Sequence, residues 1–342
     1  HYYLCRQLKG GGMEIYMKEI YSFNCEISEL NNQIQAWLYS DELKKIVHTF
    51  GGHYPETKSI DSLAKWLLEF SEKWDYRKRQ KQAKDNKTGE NARWQISSNT
   101  ITSEQKTAVE KGIAALGLIG IQLPVEREFD YIIALGGARF SCLYRPQYMY
   151  ELLTKHGISS KTAILLSGMR PVSESERVAT DSYAPLAQTE YDLINAGAEQ
   201  SFGLAPNYTE ERYYNENPNN SWALRTYDTL DGQIPLFSIA GPSSEPDKRR
   251  ANSADTYQFF FKKFNIRAGQ KLLLVTSQIY VPYQQLEAIR TLAFPHDLYI
   301  ETVGFPTDKS NKLHGMMEPA NYLQEIRSTI QAINRYLNTV NA

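Results

Sequence analysis

The run FDYIIALGG, residues 129–137, decides how this chain is read. It is apolar almost throughout, too short for an ordinary helix, and it closes on a glycine pair, as suits a strand covered on both faces. Four runs of the same texture follow: TAILLSG at 162–168, IPLFSIAG at 234–241, KLLLVTS at 271–277 and DLYIETVGF at 297–305. Helical patterns separate them at residues 145–156, 189–196, 255–264 and 282–294, and a last one at 320–337 closes the chain. Buried strands alternating with helices predict an α/β domain over residues 121–342, a doubly wound, mostly parallel, Rossmann-like sheet.

Upstream the pattern changes. Residues 13–120 read as a helical N-terminal region, with helices at 28–39 and 61–74 and a third starting at Ser103. The second spaces Leu63, Trp66, Leu67, Phe70 and Trp74 at three and four, with Asp61 as its expected N-cap. Residues 1–12, with a glycine triplet before Met13, are expected to be a leader outside the native fold. The basic run at 74–91 reads as a helix end and a solvated loop in preference to a polyanion patch. Residues 203–232, rich in Asn, Tyr, Glu and Pro, are too long for a plain connection and are read as an insertion acting as a lid or specificity element, with a disordered segment as the alternative.

Composition sets limits. Lys plus Arg (38) nearly balances Asp plus Glu (39), so no global field marks a nucleic-acid or membrane-surface protein. Three cysteines without C-x-x-C spacing argue against a disulfide scaffold and a structural zinc site. No apolar run reaches the roughly 18 residues of a membrane span, and a cytoplasmic location is expected. Six histidines without metal-ligand spacing predict no tightly bound metal. There is no G-x-x-x-x-G-K-[ST] loop, no G-x-G-x-x-G after a strand, and no G-x-S-x-G elbow.

In an open parallel sheet, ligands bind beyond the carboxyl ends of the strands. There the sequence places Gly136, Gly137, Arg139 and Arg145 after the first run, Ser167, Gly168 and Arg170 after the second, and Thr276 and Ser277 after the fourth. Glycines let backbone amides approach an anion, and arginines clamp it bidentately; the competing readings are tight turns without a ligand and, for Thr276 and Ser277, caps of the helix that follows. Glu190, early in a helix, is either a macrodipole partner or an acid, base or hydroxyl acceptor in the cleft. Arg249, Arg250, Asn252, Ser253, Asp255 and Thr256 combine helix-cap and anion-binding chemistry, and both readings stand. Tyr280 follows the fourth run as a further ligand contact.

The order of these pieces resembles the SanA, ElyC and YdcF-like family, a bacterial Rossmann-like group. Gly136, Gly137, Arg145, Ser167, Gly168, Glu190, Thr256, Thr276 and Ser277 match its pattern, while Tyr280 and Tyr283 replace the usual His and Arg. The resemblance implies S-adenosylmethionine or a nucleotide as ligand, or a role in envelope biogenesis.

Two functions follow. One is an enzyme, a transferase or hydrolase, that holds a nucleotide-like or adenosyl ligand at the strand ends with Glu190 as its catalytic group. The other is a non-catalytic binding or assembly factor that docks a protein partner through the helical N-terminal region. Specific nucleic-acid binding is not expected, since the basic run carries no recognisable module.

Overall fold

The apolar runs become strands because leucine, isoleucine and valine occupy both faces, and only helices laid against a sheet remove both faces from water. The computed structural model describes residues 2–9, 12–19, 23, 27–57, 59–78, 96–204, 207–230, 232–306 and 317–341. In chain order these form β1 (Tyr2–Lys9), β2 (Gly12–Glu19), α1 (Ile27–Leu38), α2 (Asp41–Thr49), α3 (Ile60–Phe70) and α4 (Ser103–Gly112). Then follow β3 (Glu128–Leu135), α5 (Ser141–Lys155), β4 (Ser159–Gly168), α6 (Glu174–Thr180), α7 (Glu190–Phe202), β5 (Tyr208–Tyr213), β6 (Trp222–Leu230) and β7 (Ile234–Gly241). The chain continues through α8 (Ser253–Phe264), β8 (Lys271–Ser277), α9 (Val281–Ala288), β9 (Tyr299–Phe305) and α10 (Pro319–Val340). No helix among the described residues is long and apolar enough to cross a membrane.

The chain divides into two units. One comprises His1–Gln122, Gln278–Arg290 and Pro306–Ala342; the other comprises Leu123–Ser277 and Thr291–Phe305. The second holds a seven-stranded mixed sheet in the order β5-β6-β7-β4-β3-β8-β9. The five strands from β7 to β9 run parallel, and β6 and β5 add antiparallel at one edge. This is the mostly parallel α/β sheet expected from the apolar runs. From β3 the chain steps outward to β4 and β7, then crosses to β8 and β9, so the order reverses at the carboxyl end of β3.

Register assigns the faces. Ala134 lies beside Leu165 on β4 and Val275 on β8, and all three join one apolar cluster with Cys142 and Met149 of α5 and Leu193, Ile194 and Ala198 of α7. The opposite face meets α8, where Phe260 and Phe264 stand edge-on to Tyr131 and Phe264 does the same to Phe237. Helices α5 and α7 pack closely because Gly197 has no side chain: a Cβ there would stand 2.1 Å from the Cys142 carbonyl oxygen.

The tyrosine-rich insertion extends the sheet instead of forming the expected lid. Its residues supply β5 and β6, which pair with each other and with β7. The buried Arg225 guanidinium lies 3.7 Å from the Tyr208 ring centroid and donates to Glu199 at 3.0 Å, to Glu210 at 3.1 Å and to the Tyr227 hydroxyl at 3.1 Å. An ion pair stacked on aromatic faces thus replaces apolar side chains as the glue of this edge.

In the other unit, α10 is buried along most of its length and supplies polar side chains to the N-terminal helices. Arg327 donates to Asp75 at 3.2 Å, to the Leu68 carbonyl at 3.0 Å and to Ser71 at 3.0 Å, while Asn334 donates to the Ala64 carbonyl at 2.9 Å. These contacts group the last helix with the helical region, where the sequence placed it in the 121–342 domain. The expected helices at 28–39 and 61–74 appear as α1 and as α3 with a 3-10 turn at Ser71–Trp74; the N-cap of α3 is Ser59, not Asp61. Residues 2–9, expected to be a leader, pair antiparallel with 12–19. The basic run at 74–91 lies, beyond residue 78, outside the described residues.

Gly197→Ala is expected to destabilise the protein by about 3 kcal/mol through overpacking against a backbone that cannot yield. Ala198→Gly, one residue on, is expected to cost about 2 kcal/mol, from propensity and the loss of one buried methyl. Urea denaturation of the two full-length variants checks the difference.

Candidate functional site

Gly136, Ser167 and Ser277 each follow a core residue of one face by two positions, so all three turn toward α5 and α7. Glu190 opens α7, whose N-cap is Thr189 in a capping box with Asp192. Its carboxylate lies over the end of β3. A Cβ on Gly136 would stand 2.3 Å from Glu190 Oε1 and 2.9 Å from Ser167 Cβ, so only glycine admits this arrangement.

Arg170, two residues past β4, organises the charges. Its Nε donates to Glu190 Oε2 at 3.0 Å, and its Nη1 and Nη2 donate to the two oxygens of Glu176 at 2.6 and 3.0 Å. Nη2 also reaches the Gly137 carbonyl at 3.3 Å. Glu176, 1% exposed, accepts from the Ser173 amide and hydroxyl at 3.0 Å each and from the Arg139 amide at 3.3 Å. Burial alone would raise the Glu176 pKa, but the hydrogen bond and charge of Arg170, with Ser173, outweigh it and hold the carboxyl below its usual value. The second oxygen of Glu190 has no hydrogen-bond partner among the described residues, and the side chain is 15% exposed.

Arg145, read from the sequence as a ligand clamp, is engaged by groups of its own chain. Its buried guanidinium donates to the Leu135 carbonyl at 3.0 Å, to the Gly136 carbonyl and to Ser277 Oγ at 3.2 Å. It fastens the end of β3 to the end of β8. Arg139 adopts a left-handed φ of 52°, and its carbonyl accepts from the Tyr183 hydroxyl at 2.6 Å. Burial pushes the neighbouring Cys142 thiol up to about 12, which keeps it protonated and without nucleophilic power at neutral pH.

The remaining expected residues lie apart from this cluster. Thr276 is one position out of phase with Ser277, so its buried side chain turns to the opposite face. Gly168, paired with Gly241, shares that opposite phase, as does the first turn of α8, where Thr256 Oγ1 donates to the Ser253 carbonyl at 2.9 Å. Arg250 is exposed in the loop before α8, and the carboxylate there, Asp255, takes Arg249 instead. Tyr280 belongs to the helical unit, where it is buried. The sequence reading missed Glu176 and Tyr183, yet Ser173 and Glu176 stand at the S-x-x-E spacing of a capping box, and the structure shows that box. Among the described residues no group of His, Cys, Asp or Glu is arranged to hold a metal. An open groove of about 720 Å3 in the helical unit, lined by Glu42, Lys45, Glu104 and Lys111 among others, balances its charges and converges on no reactive group.

Removing Glu176 takes from the Arg170 guanidinium its bidentate partner and leaves it only Glu190 and carbonyls, so Glu176→Ala is expected to cost about 3 kcal/mol at pH 7. Because the folded pKa lies below the unfolded value of about 4.5, this stabilisation is present above pH 4.5 and is lost as pH falls through the folded value. Denaturant unfolding at pH 7 and at pH 3.5 is expected to show a smaller acid-induced loss in Glu176→Gln than in the parent.

The Rv3785 N-terminal domain family matches residues 24–117, within the helical unit. Two relatives cover nearly the whole chain: the uncharacterized protein Rv3785 of Mycobacterium tuberculosis and the uncharacterized protein Mb3814 of Mycobacterium bovis. Each is 33% identical over 333 residues, which span 92% of this chain and 92% of the relative. No solved structure matches. These findings correct the resemblance to the SanA, ElyC and YdcF-like family, for the matching family is a different one. At this identity and coverage the chain belongs to the Rv3785 family.

Proposed function

We propose that the sheet-bearing unit binds a small polar, nucleotide-like molecule beyond the carboxyl end of β3, with Glu190 as the side chain that meets it. One observation carries this reading: a carboxylate anchored to Arg170 through one oxygen, with the other uncommitted, lies over a glycine where the strand order reverses. Reversal of strand order opens a crevice between the loops on either side, the place where open α/β sheets receive ligands. A carboxylate fixed in this way serves as general base or acid toward a bound hydroxyl, or as its acceptor, at little cost in reorganisation. Transferase or hydrolase chemistry on such a ligand is within its reach.

A non-catalytic binding factor is the second reading. Val178 and Leu186, 90% and 88% exposed on the excursion between β4 and α7, favour it by offering apolar surface for a protein contact.

Isothermal titration of the full chain with ATP, AMP, NAD and S-adenosylmethionine tests the first reading. At least one is expected to bind, and Glu190→Gln is expected to weaken it about 10-fold or more, the loss of one charge-assisted hydrogen bond. No heat with any of them, or equal affinity in the variant, overturns the reading in favour of the second.

A further inference from the structure

In the helical unit, the groove between α2 and α4 is floored by the contact of the two helices. A Cβ on Gly112 would stand 3.0 Å from Ile46 Cδ1 and 3.4 Å from Glu42 Cβ, and Gln105 Nε2 donates to the Thr49 carbonyl at 3.1 Å. The end of α4 therefore lies against the start of α2, and its start against the end of α2, an antiparallel pair. Above this contact the groove stays open, with a volume of about 720 Å3. From α4 it is lined by Ser103, Glu104, Thr107, Ala108, Lys111 and Gly112, and α2 contributes Lys45 among others. Lys44 pairs with Asp41, whereas the side chains of Lys45, Glu104 and Lys111 have no ion-pair or hydrogen-bond partner among the described residues.

The α4 lining is complementary to itself. Turning a second α4 end for end about an axis between Thr107 and Ala108 sets each lining residue opposite another member of the same set. Glu104 meets Lys111 of the second copy and Lys111 meets its Glu104, while Thr107 meets Ala108 and Ser103 meets Gly112. Residues 104 and 111 stand about two helical turns apart on one face. Opposite charges thus meet at both ends and short side chains at the centre, where helix axes can approach to about 8 Å. Because α2 runs against α4, the second α4 enters the groove parallel to α2. Its Glu104 arrives beside Lys45 as well as Lys111, and its Lys111 comes beside the carboxyl end of α2, where the helix dipole favours a cation. A polyanion in the same groove would be opposed by Glu104 and a polycation by Lys111, whereas an antiparallel copy answers both at once.

We propose that this face of the helical unit is the contact of a homodimer, in which α4 of each copy lies antiparallel in the α2–α4 groove of the other.

Sedimentation equilibrium of the full chain from about 1 to about 100 µM tests this. The parent is expected to pass from monomer to dimer across that range, and raising the salt from about 50 to about 500 mM is expected to weaken the dimer about 3-fold or more. Glu104→Lys and Lys111→Glu each turn two attractive pairs into two repulsive ones, so each alone is expected to weaken it about 10-fold or more. Mixed in equal amounts, the two variants are expected to form a heterodimer, since the lysines of one then face the glutamates of the other. The double exchange Glu104→Lys/Lys111→Glu is expected to restore the parent affinity. Thermal unfolding by circular dichroism accompanies each variant. If the two charges serve only the dipole of α4, the single reversals lower the Tm and leave the parent's mass distribution unchanged, which overturns the proposal. A parent that stays monomeric throughout overturns it too, as does a dimer that both single variants retain or a mixture without heterodimer.

Discussion

Arg170 faces two carboxylates, and the polar edge of the sheet is arranged around that fact. A guanidinium with five donors in a fixed plane satisfies Glu176 bidentately and still reaches Glu190 and the Gly137 carbonyl. The stretch between Arg170 and Glu190 is closed at its base by a bridge from Pro171 to Thr189, and it delivers Glu176 back to the guanidinium. The amide of Arg139 donates to Glu176 and its carbonyl accepts from Tyr183, so the loop after β3 is held by the segment after β4. Without the charge on Arg170, two carboxylates would be left to repel each other in a half-buried space.

Arg145 does the corresponding work across the point of strand reversal. It bonds to two carbonyls at the end of β3 and to Ser277 on β8, two strands that lie side by side but whose following segments leave in different directions. The two arginines therefore divide their labour. One ties adjacent strand ends together through neutral acceptors, and the other balances charge and aims Glu190.

The antiparallel edge and the last helix show polar side chains building structure where apolar patterns are absent. Arg225 sits at an inward position of β6 and is answered by Glu199, Glu210 and tyrosine faces. Arg327 and Asn334 of α10 bond to backbone and side chains of the segment around α3. Pattern reading treats an inward arginine as a break in the strand or helix. The insertion reads as a lid from its length and its Asn, Tyr, Glu and Pro content, and the last helix reads as part of the sheet domain because it follows the last apolar run.

The sequence by itself determined the parallel sheet: runs such as IIAL and KLLLV are apolar on both faces, and nothing but two-sided burial accommodates them. It also placed Gly136, Ser167 and Glu190 at strand and helix ends, because strand length and helix caps are local properties. Only the tertiary structure decided which of the strand-end residues share a face. One step along a strand reverses a side chain, so Ser277 joins Gly136 while Thr276 turns away, and the spacing of motifs carries no trace of that until register is fixed. It also decided that Arg145 and Arg170 answer groups of their own chain. A guanidinium takes whichever acceptor folding brings nearest, and Glu176 and the carbonyls at the end of β3 are distant in sequence and adjacent only in space.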